Sequence, residues 1–169
     1  MGPDEPSVRI LTDLLAKLDL DAEARGKLAA EVLEYRGRDL RERAFLTLIA
    51  VDLDHFYTSV ESTLEAIARA LDGAVPKGAD WHRALLAQLA AAGPTRPAVL
   101  EPDTKSRLEP LLRFRSFLRH AYAIDLDWAK MEPLVATLPA AALAIGSDLD
   151  RFRAFVQRCL AVDDDPPAG

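Results

Sequence analysis

The stretch FLTLIAVDLDHFYTSVESTLEAIARAL, residues 45–71, decides the fold. Phe45, Ile49, Leu53, Phe56, Val60, Leu64, Ile67 and Leu71 recur in steps of four or three, the period of one helix face rather than the alternation of a strand. No glycine or proline interrupts the pattern, and Asp72-Gly73 stops it. Counted from about Arg41, it makes a helix of ~30 residues, roughly 45 Å long. A helix of that length inside one domain is expected to be the spine of a bundle.

Outward from that spine the chain reads as further helices. Upstream, Ser7 or Asp4 is placed to cap a short helix through about Leu18, with Ile10, Leu11, Leu14, Leu15 and Leu18 on one face. The acidic Asp19-Leu20-Asp21 then opens a second helix over roughly residues 22–36, with Leu28, Val32 and Tyr35 apolar and Gly37 as its break. Downstream, residues 73–79 form a loop and Asp80 is a suitable N-cap for a helix to about Ala92. Gly93 to Pro102 holds three prolines and a glycine, an irregular connection of the kind that is often functional or mobile. Asp103 should cap the next helix, which Pro110 kinks or delays. Ile124-Asp125-Leu126-Asp127 turns into a final helical region over about 128–162, bent near Pro133 and Pro139. The expected fold is all-α, an up-and-down helical bundle around one long central helix. Residues 1–6 are expected to be a disordered lead-in, 7–162 a single helical domain and 163–169 a disordered tail.

Composition narrows the function classes. Half of the chain is hydrophobic, enough for one core without staples. A single cysteine, Cys159, excludes a disulfide framework and a cysteine-based metal site and suits a reducing cytosol, so the expected location is cytoplasmic. The N-terminus lacks the basic and apolar regions of a signal peptide, and no apolar run approaches the ~20 residues of a membrane span. A net charge of −6 argues against a general nucleic-acid coat but leaves room for a local basic groove. There is no P-loop, no Gly-x-Gly-x-x-Gly, no Ser or Cys nucleophile motif and no zinc spacing.

One helix breaks the acidic pattern. From Lys105 to His120 five Lys/Arg face one acid, Glu109, a local charge of +4. Leu108, Leu111, Leu112, Arg115, Leu118 and Tyr122 share one helical face, so Arg115 projects where an apolar side chain is expected. Such an arginine needs a partner or a wet cleft, because an unpaired buried charge costs several kcal/mol or more. At about 100° per residue, Tyr122 lies above Arg115 while His120 points about 140° away. One straight helix therefore cannot aim Arg115 and His120 at the same small ligand; a loosened helix end or a second copy of the helix is needed. The residue types suit phosphodiester cleavage without a metal. A guanidinium binds phosphate oxygens in bidentate fashion, and an imidazole exchanges a proton as a ribose 2′-OH attacks. The competing reading is a helix end with favourable C-terminal cations and a histidine packed beside Tyr122.

Arg115-x4-His120-x-Tyr122 resembles the Arg-x4-His-x-Tyr signature of the HEPN superfamily, specifically its HepT-like ribonuclease toxins. The long helix with Phe56-Tyr57-Thr58-Ser59-Val60-Glu61 ahead of Asp72-Gly73 is similar to that group, as is Pro76-Lys77-Gly78-Ala79-Asp80-Trp81-His82. The resemblance covers about residues 41–155. It implies a metal-independent endoribonuclease with Arg115 and His120 as catalytic residues, Tyr122 beside them, and no cofactor. It also implies a homodimer that pairs two motifs across one cleft, an RNA substrate, and a minimal nucleotidyltransferase antitoxin that in some systems adds AMP to the motif tyrosine, here Tyr122. The residue after the arginine is typically Asn, Asp or His in the family, whereas this chain has Ser116, which still hydrogen-bonds but offers less. The alternative reading is a catalytically inactive HEPN module that binds a nucleotidyltransferase partner or a nucleotide.

Other residues fill supporting roles in this reading. Glu61, beside the apolar stripe of the long helix, is placed to pair with Arg115 and orient it, or else to be an exposed glutamate. Arg113, Arg119 and Lys105 are candidate RNA-backbone contacts, or else a solvated helix face. Trp81 is expected to anchor the core and His82 to be a lesser candidate for the cleft. His55, three residues after Asp52, lacks further ligands for a metal and is expected to be partly buried.

Overall fold

The computed structural model describes residues 7–39, 43–120 and 126–163. They form α1 (Val8–Arg36), α2 (Arg43–Ile67), a π-helical turn (Ala68–Asp72), α3 (Trp81–Ala90), α4 (Pro102–His120) and α5 (Trp128–Asp163). Among the described residues there is no strand, and the protein is an all-α bundle. α1 packs on α2 and α5, α4 packs on α2 and α5, and α3 lies against α2 and α4.

The long central helix follows its periodicity closely. Ile49, Leu53, Phe56, Val60, Leu64, Ile67 and Leu71 are buried, while Phe45 is half-buried and stacks near Tyr35. Neighbours on several sides bury more of α2 than one stripe, including Leu46, Ala50, Tyr57 and Thr63. The helix widens into its π turn before Gly73 leaves it with φ +70°, a left-handed conformation that glycine adopts without steric cost.

Two boundaries differ from the sequence expectation. The two short N-terminal helices are one helix, because Asp19-Leu20-Asp21 is not a start signal. Asp21 instead accepts a 2.6 Å hydrogen bond from Thr63 and pairs with Lys17 at 2.9 Å. Arg25, one turn on, is buried and donates to Thr63 at 2.9 Å, so the acid serves contact with α2. Leu11, Leu14 and Leu18 form the buried face, whereas Ile10 is exposed. Ser7 caps this helix by accepting from the Ile10 N–H.

On the far side α3 starts after Asp80 as expected, and α4 starts earlier than expected. Asp80 precedes α3 without a side-chain cap bond. Pro102, not a capping Asp103, opens α4, as suits a residue with no N–H to satisfy. Asp103 pairs along the helix with Arg107 at 2.6 Å, and Asp148 of α5 accepts the Glu101 N–H at 2.8 Å. α4 continues through Pro110, and α5 runs as one helix through Pro133 and Pro139.

The proline-rich connection after α3 is pinned. Arg96 is buried and donates through Nε and Nη2 to Asp72, at 2.8 and 2.6 Å, and to the carbonyls of Gln88, Ala91 and Pro97. Val99 and Leu100 are buried and share the Leu89 carbonyl. This clamp fixes the start of α4 relative to α3, the two helices that meet α2 at the site below.

Candidate active site

α2, α3 and α4 converge on Arg115. Its place in the apolar phase of α4 drives its side chain inward, where only 5% remains exposed. Burial of that charge demands compensation, and α2 supplies it. Glu61, equally buried, places Oε1 3.0 Å from Arg115 Nη2. Two residues of the two turns before it add to this: Thr58 accepts from Arg115 Nε at 3.3 Å, and Asp54 lies 4.0 Å from that nitrogen. Asp54 Oδ1 has no hydrogen-bond partner, so it contributes charge to the site rather than a bond.

α3 brings an imidazole to the same place. His82 Nδ1 hydrogen-bonds to Glu61 Oε2. Arg115 Nη1 stands 3.5 Å from His82 Nδ1 and 3.4 Å from Nε2. One carboxylate thus holds a guanidinium with one oxygen and an imidazole with the other. Trp81 stacks on His82 with ring centroids 3.8 Å apart, and is half-buried against the core. Tyr57, 1% exposed, lies under this group. Burial raises its phenol above the ordinary tyrosine value, the Glu61 charge adds to this, and Arg115 partly offsets it.

A cavity of about 200 Å³ opens beside His82, between α3 and α4, and Arg83, Arg113 and Ser116 also line it. Arg83 and Arg113 are exposed cations and Asp80, also in the lining, is an exposed acid, so two cations face one carboxylate there although the chain is acidic.

The sequence candidates divide accordingly. Arg115 and Glu61 come together, Ser116 lines the cavity and Arg113 stands at its mouth. Arg119 is exposed on α4 outside that lining, and Lys105 is paired loosely with Glu109 at 3.9 Å. Tyr122 and the His120 side chain lie outside the described residues. His55 is exposed rather than partly buried, because it falls on the outer side of α2. Among the described residues no three His, Cys, Asp or Glu gather as a metal site, and no helix is long and apolar enough to cross a membrane. Arg83 was missed altogether; its signal was the cation that follows Trp81-His82 at the start of a helix.

With this geometry in hand, comparison with protein families gives one match. The profile described as HepT-like protein matches residues 48–156, from the first turns of α2 to the last third of α5. This is a HepT-like protein of the HEPN superfamily. Neither the curated proteins nor the solved structures gave a match. The HepT-like segment contains Glu61, His82 and Arg115, whereas the whole of α1 lies ahead of it.

Proposed function

We propose that this HepT-like chain is a metal-independent endoribonuclease, the toxin of a toxin–antitoxin pair whose partner is a minimal nucleotidyltransferase. The observation that carries the reading is Arg115, a buried arginine in apolar phase, oriented by Glu61 and in contact with His82, which lines a cavity that Arg83 and Arg113 also line. In this reading Arg115 stabilises the charge that builds on the phosphate during 2′-OH attack. His120 transfers protons, and Tyr122 completes the motif and is the residue that an antitoxin would modify. Arg113, with Arg119 and Lys105 along the same helix, holds the RNA backbone without reading sequence. A homodimer would supply a second motif across the cleft. Phe117, 53% exposed beside an apolar groove of about 400 Å³ between α4 and α5, offers surface for it.

The test is inducible expression of wild type, Arg115→Ala and His120→Ala, with total RNA run out from each culture. The expected result is growth arrest and RNA fragmentation with wild type alone. Equal growth and intact RNA in all three would reject the catalytic reading.

A second reading, an inactive module that binds a nucleotidyltransferase or a nucleotide, draws on one specific observation. Glu61 at 3.0 Å and Asp54 at 4.0 Å already offset the Arg115 charge, which leaves less for a phosphate. Equal growth combined with copurification of a nucleotidyltransferase would favour it.

A further inference from the structure

The Arg-x4-His spacing leaves a geometric problem that the structure resolves with a different residue. On a straight helix, a position five residues after Arg115 departs about 140° around the axis from it. The imidazole that stands against Arg115 is that of His82, contributed by α3.

We propose that His82, oriented by Glu61, is an acid–base group of this site, and that the cavity between α3 and α4 is where the RNA phosphodiester enters. This rests on the ribonuclease reading given above. The His82 ring is held as a proton-transfer group requires. A buried carboxylate at Nδ1 places the proton on that nitrogen and leaves Nε2 with its lone pair. Arg115 Nη1 is nearly equidistant from both ring nitrogens, and its 3.4 Å contact with Nε2 is longer than a good N–H bond, a weak contact that a better partner at Nε2 displaces. Trp81 closes one side of the ring, while 21% of the His82 side chain remains exposed and lines the cavity.

The cavity has the chemistry of a phosphodiester site. Arg83 and Arg113 line it with two positive charges against the single carboxylate of Asp80, and Ser116 belongs to its wall. At about 200 Å³ it admits a phosphate with part of its ribose, not a stacked base pair. With RNA seated there, the 2′-oxygen forms a bond to phosphorus and passes its proton to His82 Nε2. The bond from phosphorus to the 5′-oxygen breaks, and that oxygen takes a proton from solvent. The products are a 2′,3′-cyclic phosphate and a 5′-hydroxyl, and the His82 imidazole returns its proton to solvent. The charged groups about His82 are Glu61 and Arg115, which touch it, and Asp80, Arg83 and Arg113, which line the same cavity.

The experiment uses the purified full chain with a labelled RNA oligonucleotide for cleavage and its fully 2′-O-methylated form for binding. His82→Gln keeps an amide to meet Glu61 but cannot exchange a proton. It is expected to lower kcat by about 100-fold and to remove one limb of the pH–rate profile. Binding of the methylated RNA should change by no more than about 2-fold, since such a change is under 0.5 kcal/mol. In the wild-type protein, the His82 imidazole ¹⁵N signals should shift as methylated RNA is added, a readout that needs no variant to fold. If wild type cleaves and His82→Gln cleaves equally with an unchanged profile, the assignment of His82 is wrong and the ribonuclease reading stands. If the methylated RNA binds and leaves the His82 signals unmoved, the entry site is wrong. If wild type neither cleaves RNA nor binds it, both readings fall together.

Discussion

Glu61 and Arg115 stand 3.0 Å apart, each with only 5% of its side chain exposed. Breaking such a pair from one side strands a buried charge, at a cost of about 3–5 kcal/mol. Glu61→Ala should therefore destabilise the fold by an amount in that range, with Asp54 holding it to the lower end. Pairing it with Arg115→Met removes the stranded cation and should recover most of the loss. Urea unfolding of the two single variants and the double variant measures this. Additive losses would show that the two residues do not depend on each other.

Gly93 and Gly26 predict opposite effects of the same change. A Cβ at Gly93 would stand 2.7 Å from Asp72 Oδ1 and 3.2 Å from Arg96 Cγ, inside the clamp that holds the connection to α4. Gly93→Ala is expected to cost about 1–3 kcal/mol through forced displacement of that buried pair. At Gly26, on α1, a Cβ meets nothing within 4 Å. Gly26→Ala should stabilise by roughly 0.5–1 kcal/mol by restricting the unfolded chain. Thermal melts of the two variants are sufficient, and a loss at Gly26 equal to that at Gly93 would contradict the account.

Asp52 makes stability depend on pH. Burial raises its carboxyl above the ordinary value of 3.8, and the nearby Glu31 charge raises it further, against a smaller opposing effect of His55. A carboxylate whose folded value is raised binds its proton more tightly in the folded state, so its ionisation costs stability as pH rises. Asp52→Asn should thus be more stable than wild type at neutral pH. That advantage should shrink as pH falls through the raised value and be gone below 3.8. Unfolding free energies of both proteins between neutral and acid pH would show it, and a constant difference would refute it.

The parts of this architecture that depend on local pattern were legible, and the parts that depend on pairing across helices were not. The stripe from Ile49 to Leu71 was readable because seven turns of unbroken period leave one way to bury it. Arg115 was readable for the same reason in reverse, a charge in an apolar register. Asp19-Leu20-Asp21 misled because a helix start and an acid that reaches another helix look alike in one dimension; only the fold puts Thr63 opposite Asp21. The 91–101 connection looked loose because Asp72 and Arg96 are far apart in the chain, and a π turn is needed to bring them together. His82 stood out only weakly, since its importance comes from Glu61 and Arg115, and both lie on other helices.

The family segment begins at residue 48, yet α1 lies wholly ahead of it and contributes Leu11, Leu14, Leu18 and Val32 to the same core. Arg25, with Asp21, adds a buried polar tie to Thr63 in the middle of α2. Recognition and autonomy therefore have different limits in this protein. A chain begun at residue 48 would keep every group of the Glu61–His82–Arg115 cluster and expose the back of the helix that carries Glu61. The stretch that marks the lineage is smaller than the stretch that must be inherited with it for the site to keep its shape.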